Sequence, residues 1–278
     1  MSHNNQKKIA VINDLSGFGR CSLTVELPII SHLKVQCCPV PTSIFSNHTG
    51  FEHYYFDDYT DRMIPYTNEW KRLGLEFSGI CTGFLGSHEQ IQIVEKFIKD
   101  FKTPDTIVTV DPVMGDYGKP YPIYTPEMCA DLKSLLKYAD ILTPNLTEAC
   151  ILTGRDYVKT GSSDKELLEI AQQLCSMGPQ KVVITGVPEG NFLKNAMCEK
   201  GKNARIIARS KIGESRSGTG DVFTAIIAAD AVNGVPFYRS VTKAAEFIVE
   251  CIRRSVEMDI PVTDGVPFEE VLYRLDAN

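Results

Sequence analysis

The hydrophobic residues along this chain follow two alternating patterns. Short apolar runs of strand length recur, and the longer segments between them carry apolar residues at helical spacing. The predicted strands are Lys8 to Asn13, Val35 to Thr42, Phe77 to Phe84, Thr106 to Val110, one that begins at Asp140, Lys181 to Thr185, and two shorter ones around Cys198 and Ile206. The predicted helices are Cys21 to Leu33, Asp57 to Leu73, His88 to Phe101, Thr125 to Tyr138, one that begins near Asn145, Ser163 to Met177, one that follows Gly218, Phe237 to Val256 and Pro267 to Leu275. This alternation predicts an α/β fold with a mainly parallel central sheet and helices on both faces.

Proline and cap residues refine these elements. Pro39 and Pro41 cannot donate ladder hydrogen bonds, so the strand that contains them is predicted at an edge of the sheet. Pro28 is expected to kink the first helix, and Ser87 is the expected N-cap of the helix that follows it. Because the sequence has no internal repeat and no Pro/Ser-rich linker, we expect residues 1–278 to form a single domain.

The composition is that of an ordinary globular protein, with 43% hydrophobic and 23% charged residues. The formal net charge is −6 and no long basic run occurs, which argues against nucleic acid as the main partner. No apolar run approaches the ~20 residues that span a bilayer, and the polar first residues lack a signal-peptide core. We therefore expect no membrane partner.

The cysteines indicate a reducing compartment. The chain has 9 of them, an odd number, scattered and without a Cys-x-x-Cys pair. Several lie in apolar stretches, so we expect buried, reduced thiols. Reduced thiols are typical of the cytoplasm, which is the expected location.

The most informative stretch is Ser217-Gly218-Thr219-Gly220-Asp221, which precedes an apolar run of helical length. Glycine lets a ligand approach the backbone closely, and the amides of a helix's first turn bind anions. A carboxylate there repels an anion, so Asp221 makes sense if it takes a hydroxyl proton from a second substrate as a phosphoryl group arrives. The alternative is that Asp221 only complements the helix dipole and the glycines only form a turn.

Polar clusters also follow other predicted strands, where open α/β sheets bind ligands. The segment Phe45 to Phe51 is either a ligand site or a hydrogen-bonded loop with a satisfied histidine. Asp111 and Asp116 could hold a divalent cation through water, although a capping or solvated role suits Asp116 as well. Asn145 and Glu148 lie three residues apart and, taken alone, favour a capping box.

Two common nucleotide-binding motifs are missing from the sequence. After Gly17 and Gly19 there is no third glycine to complete the dinucleotide fingerprint, and no Gly-x-x-x-x-Gly-Lys-Ser/Thr occurs. Any nucleotide binding must therefore use another device.

Together the polar segments resemble the ribokinase superfamily, most closely its pyridoxal kinase branch. The matching segments, in family order over most of the chain, are Phe45-Ser46-Asn47-His48-Thr49-Gly50, Thr82-Gly83-Phe84-Leu85-Gly86-Ser87, Asp111-Pro112-Val113-Met114-Gly115-Asp116, Thr143-Pro144-Asn145-x-x-Glu148, Ser176-Met177-Gly178-Pro179 with Val182-Val183-Ile184-Thr185, and Gly218-Thr219-Gly220-Asp221. Each is weak alone, but the ordered set is specific. The resemblance implies a ribokinase-like fold and an ATP-dependent kinase of a primary alcohol.

The resemblance also implies residue roles. Asp221 looks like the catalytic base, and Gly218, Thr219 and Gly220 look like the anion hole for the transferred phosphoryl group. Asp111 and Glu148 would hold Mg²⁺, and K⁺ is a further candidate. The nucleotide-binding residues would be Asp111, Asp116, Thr143, Asn145, Glu148, Thr185 and Gly220. The substrate-binding residues would be Asn13, Asp14, Ser16, Asn47, Thr49, Phe84 and Asp221. A homodimer is a further expectation from the family.

Departures from the family pattern leave a second substrate open. Asn13-Asp14-Leu15-Ser16-Gly17 looks more like the Asp-Pro-Ser-Gly turn of hydroxymethylpyrimidine kinases than the Ser-His pair of pyridoxal kinases, and Phe84 stands where pyridoxal kinases commonly have tyrosine. Conversely, Asp221 stands where hydroxymethylpyrimidine kinases usually place cysteine. The leading expectation is phosphorylation of the 5′-hydroxymethyl group of pyridoxal, pyridoxine or pyridoxamine. The alternative is a hydroxymethylpyrimidine (phosphate) kinase of thiamine synthesis, and a binding module without turnover is the non-enzymatic reading.

Overall fold

The computed structural model of the protein describes residues 2–157 and 163–276. In chain order the strands are β1 (Lys8–Ser16), β2 (Gln36–Phe45), β3 (Phe56–Asp58), β4 (Gly79–Thr82), β5 (Ile107–Val110), β6 (Gly115–Asp116), β7 (Lys119–Pro120), β8 (Ile141–Leu142), β9 (Lys181–Glu189), β10 (Phe192–Glu199) and β11 (Arg205–Ser210). The α-helices are α1 (Leu23–His32), α2 (Thr60–Arg72), α3 (His88–Phe101), α4 (Pro126–Leu132), α5 (Leu146–Thr153), α6 (Asp164–Ser176), α7 (Thr219–Val232) and α8 (Phe237–Glu257). Three 3₁₀ segments complete them, at Lys133–Lys137, Val262–Asp264 and Phe268–Asp276.

The chain divides into two compact units. The first combines Met1–Ile107 with Ile212–Asn278, and the second is Val108–Lys211. The architecture is a mainly parallel sheet flanked by helices, which confirms the predicted fold class. That residues 1–278 act as a single domain stays a prediction.

The first unit is arranged around β1. Its strands lie in the order β4-β1-β2-β3, and β1 runs parallel to both of its neighbours. The run from Ile9 to Ile12 is almost completely buried, as expected for a central parallel strand covered on both faces. The helix α7 is buried from Val222 to Asp230, so its first turn is held by packing along its length.

The second unit is arranged around β8 and β9. Its strands lie in the order β11-β10-β9-β8-β5, with β5, β8 and β9 parallel and the last hairpin antiparallel. A small hairpin of β6 and β7 follows β5. The carboxyl ends of β5 and β8 lead directly into segments that contain the polar residues singled out above.

Local signals in the sequence predicted the helix starts well. Ser87 caps α3, with its Oγ accepting a hydrogen bond from Gln90 N at 3.2 Å. Thr125 caps α4 in the same manner, although the predicted helix to Tyr138 is α-helical only to Leu132 and continues as 3₁₀. The segment predicted as helical from Asp57 begins instead at Thr60, because Phe56–Asp58 forms β3.

The prediction that the proline-containing strand lies at a sheet edge is wrong. β3 pairs antiparallel with β2 at Ser43, Ile44 and Phe45, so β2 is an inner strand. Pro39 and Pro41 lie in the part of β2 that precedes this pairing. Their missing N–H groups therefore cost no hydrogen bond to β3.

Two other expectations concern thiols and membranes. All 9 cysteines lie in the described ranges as free thiols, and six of them are buried. Among the residues that the structure describes, no helix combines the length and apolar character needed to cross a membrane.

Candidate active site

The first turn of α7 forms the centre of the candidate site in the first unit. Gly218 is the N-cap residue and has a left-handed conformation, with φ of 78°. A Cβ at this position would overlap the carbonyl group of Arg20, so the backbones approach each other as only glycine allows. Gly220 is exposed, with open space where a Cβ would stand. The amides of this turn lack helical partners and form a surface that suits an anion.

Asp221 lies at the start of α7, partly buried beside the end of β1. Asn13 Nδ2 lies 3.4 Å from its Oδ1, and the backbone N–H of Ser22 also donates to the carboxylate. Burial raises the pKa of Asp221 to about 6, and the nearby Asp14 carboxylate adds to the rise. At neutral pH the group is therefore mostly ionised and still basic enough to accept a proton.

Asp14 is buried at the end of β1, with each carboxylate oxygen held by a serine. Ser22 Oγ donates to Oδ1 at 2.6 Å, and Ser16 Oγ donates to Oδ2 at 2.9 Å. Burial raises the pKa of Asp14, and these two hydroxyls oppose the rise. Ser22 itself has φ of 52°, which is unusual for a residue with a Cβ and is found where surrounding contacts enforce it.

The segment after β2 is a hydrogen-bonded loop. Asn47 Oδ1 accepts from Ser46 Oγ at 2.7 Å, and Asn47 Nδ2 donates to His53 O at 2.7 Å. His48 Nδ1 accepts from Gly50 N at 3.0 Å and its Nε2 lies 2.7 Å from Thr263 O, so the proton is assigned to Nε2. Thr49 is exposed. The histidine is thus satisfied, as one of the two interpretations predicted, and a ligand role for Asn47 and Thr49 stays a prediction.

Phe84 follows β4 in the same unit and is half-buried. Its ring meets Phe45 edge-on, with centroids 6.2 Å apart and planes at 71°. Its backbone N–H donates to Asn13 Oδ1 at 2.8 Å. The residues predicted to bind the substrate on β1 and after β4 therefore lie close together. Asn13 connects them, because it contacts Asp221 and also accepts the backbone N–H of Phe84.

Apart from Gly220, which lies in the first unit, the predicted nucleotide-binding residues lie in the second unit, at or just beyond the carboxyl ends of its parallel strands. Asp111 directly follows β5, and Thr143 follows β8; both are buried. Thr185, within β9, forms a parallel bridge with Asn145, and its N–H donates to Pro144 O at 2.9 Å. These residues lie at the end of the sheet where α/β proteins bind ligands.

Asn145 and Glu148 form the capping box that their spacing predicted. Glu148 N donates to Asn145 Oδ1 at 3.0 Å, and Asn145 N donates to Glu148 Oε2 at 2.8 Å. Glu148 also accepts from Met114 N at 3.1 Å, and Asn145 Nδ2 donates to Gly115 O at 2.8 Å. The pair therefore fixes the segment that carries Asp116 as well as the start of α5.

Three carboxylates of the second unit influence one another. Burial raises the pKa of Glu148 well above its usual range, and Asp111 and then Asp116 add to the rise. Burial likewise raises the pKa of Asp116, while the N–H of Tyr117 opposes it. Buried, mutually repelling oxygen ligands suit a hard divalent cation. Within residues 2–157 and 163–276, no three acidic, histidine or cysteine side chains are close enough to ligate a metal together, so a cation here would be held partly through water.

Two residues of the first unit were missed by sequence reasoning. Glu26 is a buried carboxylate on α1 that accepts from Asn13 Nδ2 at 2.9 Å. Ser22 donates to both Asp14 and Asp221. A charged residue within the apolar face of α1 was the available signal for Glu26; nothing in the sequence marked Ser22.

The comparisons with known proteins agree with this arrangement. The family model described as phosphomethylpyrimidine kinase matches residues 25–263. A pyridoxal kinase of Arabidopsis thaliana is 30% identical over 231 residues, which are 77% of this chain and 70% of the relative. A pyridoxine kinase of Bacillus subtilis is 29% identical over 191 residues, covering 67% of this chain and 68% of the relative.

A solved structure resembles the whole chain. A protein of Bacteroides thetaiotaomicron, provisionally described as a phosphomethylpyrimidine kinase, is 39% identical and superposes with a TM-score of 0.96 over 100% of this chain and 96% of its own. A second crystal form of that protein, obtained with pyridoxal, has a TM-score of 0.93 over 98% of this chain and 96% of its own.

Proposed function

Because the chain belongs to the phosphomethylpyrimidine kinase family, with pyridoxal and pyridoxine kinases among its relatives, we propose that it transfers a phosphoryl group from ATP to the 5′-hydroxymethyl group of pyridoxal, pyridoxine or pyridoxamine. The observation that carries this proposal is the Asp221 carboxylate, held beside Asn13 in the first turn of a helix that begins at Gly218. The 39% identical Bacteroides protein that was crystallised with pyridoxal supports the vitamin B6 substrate.

In the proposed reaction Asp221 acts as the general base. The alcohol oxygen forms a bond to the γ-phosphorus, the bond from that phosphorus to the ADP oxygen breaks, and the hydroxyl proton moves to the Asp221 carboxylate. Gly218, Thr219 and Gly220 present the amides of the α7 first turn to the transferred group. Because phosphoryl transfer depends mainly on positioning and charge neutralisation, a weakly basic carboxylate is sufficient.

The proposed nucleotide site uses the second unit. Asp116, Thr143, Asn145 and Thr185 border the ATP phosphates, and Gly220 remains a further nucleotide-binding residue of the expected set. Asp111 and Glu148 hold Mg²⁺ partly through water, and K⁺ is a further candidate ion. When bound, Mg²⁺ neutralises phosphate charge.

The proposed alcohol site uses the first unit. Asp14 and Ser16 face the substrate from the end of β1, whereas Asn13, also in the expected set, is buried and hydrogen-bonded to protein groups. Asn47 and Thr49 contact the heteroaromatic ring with directed polar groups, and Phe84 supplies an aromatic face. We further propose that the enzyme acts in the cytoplasm as a homodimer of single-domain protomers, with neither nucleic acid nor membrane as a partner.

A second candidate substrate is supported by one sequence feature and by the family description. The turn Asp14 to Gly17 resembles that of hydroxymethylpyrimidine kinases, and the matching family model is described as phosphomethylpyrimidine kinase. The ratio of kcat/KM for hydroxymethylpyrimidine and for pyridoxal measures the discrimination between the two alcohols directly.

The deciding experiment is an assay of the purified protein with Mg-ATP and each alcohol. We expect a 5′-phosphate product from at least one B6 vitamer, with a higher kcat/KM than for hydroxymethylpyrimidine. Phosphorylation of hydroxymethylpyrimidine alone would favour the second substrate. Nucleotide or vitamer binding without any product would instead support a binding module and reject the kinase.

A further inference from the structure

The amide of Asn13 links the proposed base to the interior of the first unit. Asn13 lies at the carboxyl end of β1 and is 1% exposed. Its Nδ2 donates to Glu26 Oε2 at 2.9 Å and lies 3.4 Å from Asp221 Oδ1. Both hydrogens of the amide nitrogen therefore point at carboxylates.

The orientation of this amide is fixed by its oxygen. Asn13 Oδ1 accepts the backbone N–H of Phe84 at 2.8 Å and that of Asp14 at 2.9 Å. If the oxygen and nitrogen exchanged places, donors would face donors and acceptors would face acceptors, so the alternative flip is excluded. The side chain has no polar atom left without a protein partner.

The surroundings are shaped to hold this one side chain. A Cβ on Gly83 would stand 2.6 Å from Asn13 Oδ1, which is too close for any residue with a side chain. Glu26 is 1% exposed on α1, where an ionised carboxylate is costly unless it is hydrogen-bonded. It receives the Asn13 amide, and Cys81 Sγ lies 3.9 Å from its other oxygen.

We propose that Asn13, anchored by Glu26, is a positioning residue that fixes the place of the Asp221 carboxylate relative to the segment beginning at Phe84. The inference rests on the proposed role of Asp221 as the base. The proposal also explains why a buried position of α1 carries a carboxylate, Glu26, rather than an apolar side chain. In this proposal the Asn13 amide also sets the distance between the Asp221 carboxylate and the segment that begins at Phe84.

The proposal has an electrostatic consequence. The titratable groups near Asp221 are Asp14 on β1 and the Cys21 thiol of the following loop, whose pKa burial raises, with Glu26 of α1 behind Asn13. Burial and Asp14 raise the pKa of Asp221, whereas the N–H of Asn13 lowers it. Removing that donor should raise the pKa further, and an ionised base should then require a higher pH.

The test measures the titration of Asp221 itself. In protein labelled with ¹³C at aspartate carboxyls, the Asp221 signal is assigned by its loss in Asp221→Asn, and its pKa is compared in wild type and Asn13→Ala. We expect an increase of roughly 1 to 2 pH units, the size of one hydrogen bond to a charged group. We expect the acidic limb of kcat/KM to move by the same amount and kcat to fall about 10-fold, with KM for ATP nearly unchanged. An unchanged Asp221 pKa in a folded Asn13→Ala protein overturns the proposal.

Substitutions of Glu26 keep the proposal testable if Asn13→Ala does not fold. Glu26→Gln retains an oxygen that can accept the Asn13 N–H and should preserve the pH profile, whereas Glu26→Ala frees the amide and should shift it. Equal profiles for the two variants overturn the anchoring role.

The control is Thr82→Val, which removes a buried hydroxyl from β4 opposite Ile12 and should leave the profile unchanged. If Thr82→Val shifted the pH profile by the same amount, the shift would come from disturbed packing in general, and the proposal would be overturned. Because the titration is read by NMR, it remains decisive even if no vitamer is phosphorylated, an outcome that would reject only the proposed function.

Discussion

Two neighbouring glycines of the α7 first turn should respond to alanine in opposite ways. At Gly218 the new Cβ would overlap the Arg20 carbonyl oxygen and stand 3.0 Å from the Arg20 carbonyl carbon and 3.2 Å from Cys21 Cα. These atoms are backbone, so no side-chain rotation relieves the contact. At Gly220 a Cβ meets nothing within 4 Å. The pair therefore separates the structural from the catalytic requirement for glycine.

The cost of Gly218→Ala has two parts. The backbone has φ of 78°, which costs a residue with a Cβ about 1–2 kcal/mol. Overpacking against a fixed neighbour typically costs about 1–3 kcal/mol more. The sum of about 2–5 kcal/mol corresponds to a decrease in Tm of at least about 4 °C for a protein of this size. Because the displaced backbone carries the amides that we propose to face the phosphoryl group, kcat should fall as well.

Gly220→Ala should have the reverse signature. Alanine is about 1 kcal/mol better than glycine within a helix, so Tm should be unchanged or higher. The added methyl group stands on the exposed side of the turn, where the transferred phosphoryl group would approach, and kcat should fall at least about 10-fold.

The assay combines thermal unfolding followed by circular dichroism with steady-state kinetics on the same preparations. A Gly220→Ala protein that unfolds several degrees below wild type would refute the reasoning about open space at this position. A Gly218→Ala protein with wild-type Tm and full kcat would refute both the steric argument and the assignment of these amides to the reaction.

Further predictions concern the carboxylates and the cooperativity of the fold. In pH–rate profiles, kcat/KM for the alcohol should fall about tenfold per unit below a pH of about 6, because only ionised Asp221 accepts a proton; Asp221→Asn should lower kcat at least ~10²-fold at neutral pH. Glu148 has a raised pKa in the folded protein, so its ionisation removes stability as pH rises from its unfolded to its folded pKa. Glu148→Gln should therefore flatten the decline of Tm with pH, while calorimetric titration should detect weaker binding of Mg-ADP. If residues 1–278 form one domain, scanning calorimetry should show a single two-state transition, and two resolved transitions would contradict this.

Features set by neighbouring residues could be predicted from the sequence. Ser87 and Asn145 were recognised as caps because a cap and its partner lie three residues apart. The central strands were recognised because a parallel strand buried on both faces is a continuous apolar run. The inner position of β2 in the sheet was not predicted. Its neighbour β3 is only three residues long, and the pairing depends on a loop of 10 residues between Phe45 and Phe56.

The candidate site was predictable as a set of residue types and only partly as a set of contacts. The Gly-Thr-Gly-Asp stretch indicated Asp221 because an acid at an anion-binding turn needs a chemical reason. The link from Asp221 through Asn13 to Glu26 joins positions that are 208 and 13 residues apart along the chain. No local pattern encodes such a link, and Glu26 was visible only as a charge within an apolar helix.

The two units surround their carboxylates with different donors, and this difference bears on which substrate needs a metal. In the first unit, Asp14 and Asp221 receive hydroxyl and N–H groups that oppose the rise of their pKa, although burial still raises the pKa of both. In the second unit, the N–H groups that reach Glu148 do not prevent Asp111 and Asp116 from raising its pKa further. A polyanionic triphosphate brought to these three carboxylates would add to that repulsion unless a divalent cation came with it. If ATP binds beside these three carboxylates as proposed, their mutual repulsion supplies a physical reason for the nucleotide to arrive as its magnesium complex, whereas the alcohol is uncharged at its reacting oxygen.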